Sequence, residues 1–240
     1  MRVVALIPAA GQGRRMGAEK PKAFLPLGGL PILAHTLQKF EDCPLVDEVL
    51  PLVPPGETLG WAEEIVLRSG LKKVLRIVPG GQERQESVYR GLQAVQGKAD
   101  WVLIHDGVRP FVPQALIQQA LSETFQWKAV VVALPANETI KEVSAEMAVV
   151  RTVDRRRLWM TQTPQSFEFP MILRAHEEAR KAGFRGTDDA SLVERQGIPV
   201  RILQGSRFNM KITTPEDLVL AEALLERLNR DSSSEFRVSG

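Results

Sequence analysis

The stretch Val3-Val4-Ala5-Leu6-Ile7-Pro8-Ala9-Ala10-Gly11-Gln12-Gly13-Arg14-Arg15-Met16-Gly17 decides the predicted fold. Its first five residues form a continuous apolar run, which is typical of a strand buried on both faces of a parallel sheet. Gly11 and Gly13 then let the backbone approach a ligand closely, and free N–H groups at the carboxyl end of a strand suit a phosphate. Four cationic side chains lie in or beside this loop: Arg14, Arg15, Lys20 and Lys22. With these cations, a phosphate site is favoured over a plain turn.

Two common nucleotide-binding motifs do not fit this loop. The dinucleotide fingerprint requires a third glycine three residues after Gly13, where the chain has Met16. The Walker pattern also fails, because the loop has no Gly-Lys-Ser/Thr. The sequence therefore argues against a dehydrogenase and leaves the phosphate ligand open.

Beyond this loop, short apolar runs alternate with segments of helical periodicity. Alternation of this kind predicts βαβ units and a mostly parallel sheet in an α/β domain. The predicted strands are 3–7, 46–53, 74–78, 101–104, 130–134 and 200–203. The predicted helices are 31–40, 61–68, 83–96, 114–125, 170–182, 189–195 and 215–229. No repeat or linker divides the chain, so we expect one domain over residues 1–230 and a flexible, polar tail over 231–240.

One segment interrupts the alternation. Residues 139–143 and 148–153 read as two extended segments joined by a polar turn, which predicts an antiparallel hairpin within an arm of about 136–156. Such a hairpin could be a surface decoration or a dimerisation arm.

Composition limits the compartment and the partners. The 240 residues carry 31 Lys and Arg against 29 Asp and Glu, and a net charge of +2 lacks the basic excess of a nucleic-acid-binding chain. Cys43 is the single cysteine, so no internal disulfide can form, which is typical of a reducing cytosol. We expect no signal peptide, because residues 1–7 run into a strand-like segment, and no apolar run reaches the roughly 18 residues of a membrane helix. We expect a cytoplasmic protein without nucleic-acid or membrane partners.

Further polar motifs follow the later strands. Asp106, in Ile104-His105-Asp106-Gly107-Val108-Arg109-Pro110, follows a predicted strand, where a carboxylate near phosphates is a candidate Mg²⁺ ligand. The alternative is that Asp106 caps a turn. Gly80-Gly81-Gln82-Glu83-Arg84-Gln85-Glu86-Ser87 could hold a base or ribose, or could simply join a strand to a helix. We place Thr163-Pro164-Gln165 in a loop, and Thr187 and Asp188 as helix-capping residues.

Seven of these blocks, in this order, resemble one family. They are residues 8–16, Pro21-Lys22, Gly80–Arg84 with Ser87, His105–Pro110, Thr163-Pro164-Gln165, Thr187–Ser191, and Lys211-Ile212-Thr213 with Pro215-Glu216-Asp217. To about Asn229 the chain resembles the 2-C-methyl-D-erythritol 4-phosphate cytidylyltransferases, nucleotidyltransferases of the non-mevalonate isoprenoid pathway. The resemblance implies a single Rossmann-like nucleotidyltransferase domain whose protruding β-hairpin arm builds a homodimer.

The resemblance also implies a nucleotide site for CTP. Arg15 and Lys22 match the pair that stabilises the transition state, and Lys211 matches a third catalytic position near the phosphates. Asp106 matches the carboxylate associated with Mg²⁺. The family usually has an acidic residue where this chain has Gln82. The implied CTP-binding positions are Pro8, Ala9, Ala10, Gly11, Gly13, Gly81, Gln82, Ser87, Asp106 and Gly107.

The second substrate is implied in the same way. Arg109, Thr163 and Thr187 match positions that bind it. Thr139 and Arg155 match arm residues that reach into the neighbouring subunit to hold the substrate phosphate. The implied reaction is in-line attack of that phosphate on the α-phosphorus of CTP, which needs no general base because the nucleophile is already ionised near neutral pH. Two alternatives stay open: a cytidylyltransferase acting on ribitol 5-phosphate or another polyol phosphate, and a nucleotide-binding protein without turnover.

Overall fold

The computed structural model describes residues 1–11 and 20–235, with the side chains of 231–235 excepted. Its central sheet has seven strands in the order β11-β7-β10-β6-β1-β4-β5. These strands are β1 (Val3–Pro8), β4 (Glu48–Val53), β5 (Val78–Pro79), β6 (Trp101–Ile104), β7 (Ala129–Pro135), β10 (Trp159–Glu168) and β11 (Arg201–Gln204). Strand β10 pairs antiparallel with β6 and β7, whereas every other pairing in the sheet is parallel. The predicted α/β class with a mostly parallel sheet is confirmed.

Helices cover both faces of this sheet. They are α1 (Ile32–Glu41), α2 (Glu57–Ser69), α3 (Arg84–Ala94), α4 (Gln114–Trp127), α5 (Phe169–Lys181), α6 (Asp189–Glu194) and α7 (Pro215–Glu235). Strand β1 alternates between two apolar layers: Ala5 and Ile7 pack on one face of the sheet, and Val4 and Leu6 on the other. Burial on both faces explains why the strand reads as an unbroken apolar run.

Small elements complete the architecture. A 3₁₀ helix, Lys22–Phe24, and the two-residue strands β2 (Pro26–Leu27) and β3 (Leu30–Pro31) connect the first loop to α1. Strands β8 (Ile140–Val143) and β9 (Val149–Val153) form the predicted antiparallel hairpin, followed by a 3₁₀ helix at Arg155–Arg157. No helix among the described residues is long and apolar enough to cross a membrane.

Strand β10 corrects the prediction of a loop at Thr163-Pro164-Gln165. These residues lie inside the strand, at an irregularity in its pairing with β7 between Thr161 and Gln165. The strand was missed because its buried side chains are largely polar and because a proline argues against a central strand. The irregularity accommodates Pro164, which has no N–H to donate to the ladder.

Three further boundaries differ from prediction by about four residues or more, and the first is the helix predicted at 61–68, which is Glu57–Ser69. The third strand, predicted at 74–78, is only Val78–Pro79, although Leu71 and Val74 before it are buried. Apolar residues there pack against the core without joining the ladder. Helix α7 continues to Glu235, beyond its predicted end at Asn229 and across the boundary drawn at residue 230. A helix that has already formed extends at little cost through residues of modest propensity. The last five positions of the predicted tail, 236–240, lie outside the described residues.

Candidate active site

A cleft of about 180 Å³ opens where β1 and β6 end. The carboxyl ends of parallel strands are the usual ligand-binding edge of an open α/β sheet. Ten residues predicted for the site line it: Pro8, Ala9, Ala10, Gly11, Lys22, Gly81, Gln82, Ser87, Asp106 and Lys211. Glu83, Arg84 and Val108 complete the lining. The fold therefore brings together motifs that are more than 100 residues apart in the chain.

Two backbone turns approach each other closely at one side of the cleft. A Cβ on Gly80 would lie 2.7 Å from Ala10 Cβ and 2.8 Å from the Ser87 hydroxyl, so only glycine fits there. The Ser87 hydroxyl accepts a hydrogen bond from Gly81 N (2.9 Å) and donates one to the Glu83 carbonyl (3.0 Å). Ser87, predicted as a ligand contact, thus shapes the turn itself. The two turns place main-chain atoms of Ala10 and Gly81 at the rim, where they can reach a nucleotide.

Asp106 lies at the centre of a charge cluster. Its Oδ1 accepts from Arg84 Nε at 3.0 Å, and its Oδ2 accepts from Lys211 Nζ at 2.8 Å and from Arg109 Nε at 3.3 Å. The carboxyl group is almost fully buried. Burial alone would raise the pKa of Asp106, but the cations of Arg84, Lys211 and Arg109 hold this pKa far below its ordinary value. Asp106 is therefore an ionised carboxylate across the physiological range.

The segment before α7 is fixed to the turn after β6, which brings Lys211 to Asp106. Ile212 N donates to the Val108 carbonyl (2.9 Å), and Arg109 Nη1 donates to the Asn209 carbonyl (2.8 Å). These contacts on either side of Lys211 hold its backbone against residues 108–109. Thr214 caps the start of α7, because its hydroxyl accepts from Asp217 N at 3.3 Å.

His105 and Thr163 support the Asp106 backbone. Asp106 N donates to Thr163 Oγ1 (3.1 Å), whose hydroxyl is then free to donate to His105 Nδ1 (3.1 Å). That assignment leaves the hydrogen of the imidazole on Nε2, which faces the Arg109 carbonyl at 3.1 Å. Burial lowers the pKa of His105 to about 4. The ring also packs against Phe40, so His105 is a structural residue beneath the site.

Gly107 lies next to the cleft without lining it. Arg109 and Thr163 are also outside the lining, but each forms a hydrogen bond with Asp106, which lines the cleft. Gly107 N donates to the Pro8 carbonyl at 3.0 Å, which ties the turn after β6 to the end of β1. A Cβ on Gly107 would lie 3.0 Å from Ala9 Cβ, so the close packing of the two turns favours glycine.

The remaining predicted site residues lie elsewhere. Thr187 lines a second cavity of about 400 Å³, which shares Glu83 and Arg84 with the cleft. Asp188 is the predicted cap of α6, accepting from Ser191 N at 2.9 Å. Thr139 and Arg155 flank the hairpin and are not among the described residues lining either cavity. Gly13 and Arg15 lie outside the described residues.

Arg84 is the site residue that the sequence analysis did not single out. It begins α3, directly after the glycine turn, and its guanidinium joins Asp106 to Asp189. Burial alone would lower the pKa of Arg84, but the carboxylates of Asp189 and Asp106 raise it above its ordinary value. The sequence contains a signal for this role, because Arg84 is a cation directly after Gly80-Gly81 and later motifs supply the carboxylates Asp106 and Asp189.

A divalent cation fits this site only together with phosphate oxygens. Among the described residues no group of three or more His, Cys, Asp or Glu side chains could hold a metal. Asp106 is a single carboxylate with about four acceptor positions, of which its three cationic partners use three. With respect to the partners in residues 1–11 and 20–235, one position is left, which matches the way Mg²⁺ binds through one or two carboxylates and the oxygens of a nucleotide.

Comparison with known proteins agrees with this arrangement. The profile of the family described as 2-C-methyl-D-erythritol 4-phosphate cytidylyltransferase matches residues 3–227. A protein of that name from Geobacter metallireducens is 50% identical over 229 residues, covering 94% of this chain and 98% of the relative. One from Geotalea uraniireducens is 48% identical over 233 residues, covering 96% of this chain and all of the relative.

Solved structures give the same result. A 4-diphosphocytidyl-2C-methyl-D-erythritol synthase from Anaerococcus prevotii superposes with a TM-score of 0.83 at 30% identity, covering 94% of this chain and 96% of that one. The 2-C-methyl-D-erythritol 4-phosphate cytidylyltransferase from Thermus thermophilus gives 0.77 at 39% identity, covering 94% of this chain and 100% of that one. The chain therefore belongs to the 2-C-methyl-D-erythritol 4-phosphate cytidylyltransferase family.

Proposed function

We propose that this chain transfers the cytidylyl group of CTP to 2-C-methyl-D-erythritol 4-phosphate in the non-mevalonate isoprenoid pathway. The products are 4-diphosphocytidyl-2-C-methyl-D-erythritol and pyrophosphate. The observation that carries the proposal is the cleft itself: main-chain turns at Ala9–Gly11 and Gly81 surround a carboxylate that three cations neutralise. The three cations outnumber the carboxylate, and an excess of positive charge offsets the negative charge of reacting phosphates. The nucleotide and the acceptor are those of the family.

The CTP side of the site uses main-chain groups. The N–H groups of Ala10 and Gly11 serve the triphosphate, as N–H groups after a strand do in other anion sites, whereas the Ala9 N–H already donates to the Leu52 carbonyl at 2.8 Å. Gly13, outside the described residues, is assigned to the same phosphate-binding loop. Gly81 and Gln82 hold the cytosine and ribose through their backbone carbonyls, because the Gly81 N–H donates to Ser87 and the Gln82 N–H donates to Glu86. Contacts to carbonyls do not depend on the side chain at position 82. Ser87 acts by keeping the Gly81 turn in shape.

The reacting phosphates are neutralised by side chains. The acceptor phosphate is already an anion near pH 7, so its oxygen attacks the α-phosphorus without a general base. Lys22 and Arg15 offset charge on the α-phosphate and on the departing pyrophosphate, and Lys211 is held nearby by Asp106 at 2.8 Å. Positioning and charge neutralisation then supply most of the rate enhancement. A bound Mg²⁺, held by Asp106 and phosphate oxygens, would add charge neutralisation at the same oxygens.

The acceptor side combines the second cavity with the hairpin arm. Thr187 lines that cavity and binds the acceptor from within the subunit. Arg109 and Thr163 line neither cavity and act on the acceptor side through their bonds to Asp106. Thr139 and Arg155 reach the acceptor from the arm of a second copy in a homodimer. The exposed apolar side chains of the hairpin support an interface there, since Met147, Val149 and Val150 are each at least 60% exposed in the isolated chain. A CTP-dependent reaction on a small phosphorylated alcohol further suggests a cytoplasmic enzyme.

Pyrophosphate release tests the proposed function. The protein is incubated with CTP and Mg²⁺, in parallel with 2-C-methyl-D-erythritol 4-phosphate and with ribitol 5-phosphate. We expect rapid release only with the methylerythritol phosphate. Release only with ribitol 5-phosphate would replace the acceptor and keep the chemistry. CTP binding without release from either acceptor would show a nucleotide-binding protein without turnover and would overturn the proposal.

A further inference from the structure

Arg84 bridges two acidic residues that come from distant parts of the chain. Its Nε donates to Asp106 at 3.0 Å, and its Nη1 donates to Asp189 Oδ2 at 2.6 Å. An arginine on one carboxylate can pivot about that contact, whereas contacts on two edges of the planar guanidinium fix its orientation. Asp189 therefore determines which edge of its guanidinium Arg84 presents to Asp106.

Asp189 is itself held from two directions. It is 1% exposed, and its backbone N–H donates to Gln165 Oε1 at 3.1 Å. Gln165 belongs to β10, the strand beside β6. Its contact therefore fixes Asp189 relative to the sheet whose strand β6 leads into Asp106. The second carboxylate oxygen of Asp189, Oδ1, lies 3.1 Å from His176 Nε2.

His176 has a polar role at a core position. It lies on α5, is fully buried and stacks on Tyr89 of α3 with 6.4 Å between ring centroids. Its Nε2–H donates to Asp189, while Nδ1 has no partner among the described residues. A buried nitrogen without a partner lowers stability, so an apolar side chain would pack here more favourably. The contact that distinguishes histidine from such a side chain is the one to Asp189.

We propose that Asp189 and His176 are positioning residues for cytidylyl transfer, acting through Arg84. They hold the Arg84 guanidinium against Asp106, so that Asp106 stays charge-balanced when Lys211 turns from it toward an incoming phosphate. When Lys211 leaves Oδ2, Arg109 remains on that oxygen at 3.3 Å, whereas Arg84 is the one cation among the described residues that contacts Oδ1. Arg84 must therefore stay in place, because a buried carboxylate that loses its ionic partners is strongly unfavourable. This proposal rests on the proposed function for its kinetic readout and on the side-chain network for its structural one.

A double-mutant cycle tests the path through Arg84. We expect Asp189→Asn to lower kcat/KM by about ten- to a hundredfold, mainly through kcat, since the variant removes a charged partner of a half-buried guanidinium. Arg84→Lys lowers it as well, and the double variant is no worse than Arg84→Lys alone, within about twofold. Independent, multiplied effects would overturn the proposal, because a general structural role of Asp189 would add to the loss of Arg84.

Two more variants guard against a folding artefact. His176→Phe keeps the ring stack but removes the donor to Asp189, and we expect a smaller loss that is likewise absent in the Arg84→Lys background. If Asp189→Asn does not fold, this variant carries the same cycle. The matched control is Glu178→Gln, which changes an exposed carboxylate on α5 that accepts from Gln196 at 3.0 Å. It should leave kcat/KM unchanged.

A nuclear magnetic resonance signal separates this proposal from the proposed function. The Arg84 Nε–H resonance is assigned by its loss in Arg84→Lys. We expect slow solvent exchange of this proton in the wild-type protein and in Glu178→Gln, and at least tenfold faster exchange in Asp189→Asn and His176→Phe. Unchanged exchange in both variants would overturn the positioning roles even if transfer is normal. Absence of transfer in the wild type would overturn the proposed function alone.

Discussion

Replacing Asp106 by asparagine should destabilise the protein, although the two side chains have nearly the same shape. The carboxylate is 5% exposed and is contacted by Arg84, Arg109 and Lys211. Without its charge, Arg109 is left buried with two other cations nearby. Breaking a buried ion pair by removing one partner costs about 3–5 kcal/mol. Because the Lys211 side chain is 37% exposed and partly screened by solvent, we take the lower end, about 3 kcal/mol.

Thermal unfolding followed by circular dichroism measures this loss. For a domain of this size about 3 kcal/mol corresponds to a fall in Tm of about 6–12 °C. The control is Asp42→Asn, an exposed carboxylate hydrogen-bonded to Gln38, for which a change within about 0.5 kcal/mol is expected. A fall in Tm for Asp106→Asn no larger than that of the control would refute the argument that the cation cluster depends on this charge.

The difference in stability between the wild type and Asp106→Asn should depend on pH. Since the pKa of Asp106 is depressed in the folded protein, its stabilisation is present above the unfolded-state pKa and is lost as pH falls below it. The gap between wild type and Asp106→Asn should be constant from pH 5 to 8. It should shrink by about 1 kcal/mol at pH 3, below the ordinary aspartate pKa of about 3.9. A gap that widens at pH 3 would contradict the assigned charge state.

Three further predictions concern catalysis, pH and assembly. Lys22→Ala should lower kcat by about 10²–10³-fold and leave the KM for CTP within about threefold. The control Lys98→Ala, at an exposed site, should change neither constant. A normal kcat for Lys22→Ala would show that Lys22 does not stabilise the transition state. Because burial lowers the pKa of His105 to about 4, the unfolded chain binds more protons between pH 6.5 and 4, and urea unfolding should show about 2 kcal/mol less stability at pH 5 than at pH 7 from this group. His105→Gln should lose that part of the slope, and a slope equal to that of the wild type would contradict the assignment. Equal mixing of Lys22→Ala and Arg155→Ala subunits should restore about a quarter of the wild-type activity, because half of the dimers are mixed and each mixed dimer has one intact site; no recovery would show that Arg155 does not act in trans.

The sequence predicted the parts of the fold that follow from apolar periodicity. Strand β1, with both faces buried, is the plainest case, and the hairpin at 140–153 followed from alternation around a polar turn. Strand β10 could not be found in this way. Its middle contains Thr163, Gln165 and Ser166, whose buried side chains form no apolar stripe. They instead form hydrogen bonds with Asp106, Ala190 and Thr124 of other elements. A polar strand at the centre of a sheet is specified by contacts that a single sequence does not display.

The candidate site was predicted unevenly for a similar reason. Residues within local motifs, such as Ala9, Gly81 and Asp106, lie at the cleft because each motif follows a strand at the same sheet edge. Arg84 and Asp189 act together across 105 positions of the chain, a pairing that only the fold reveals. Ser87 was expected to meet a ligand, yet its hydroxyl already bonds within its own turn. Local chemistry identified the site, whereas the network that supports it required the tertiary structure.

The central claim is that an acceptor phosphate oxygen attacks the α-phosphorus of CTP. It is tested most directly with 2-C-methyl-D-erythritol 4-phosphate whose non-bridging phosphate oxygens are ¹⁸O, with the products followed by ³¹P nuclear magnetic resonance and mass spectrometry. The account predicts that ¹⁸O occupies the bridge of the new diphosphate and that the released pyrophosphate carries none. Release of CDP with a diphosphorylated acceptor, labelled pyrophosphate, or no turnover with CTP and Mg²⁺ would contradict it.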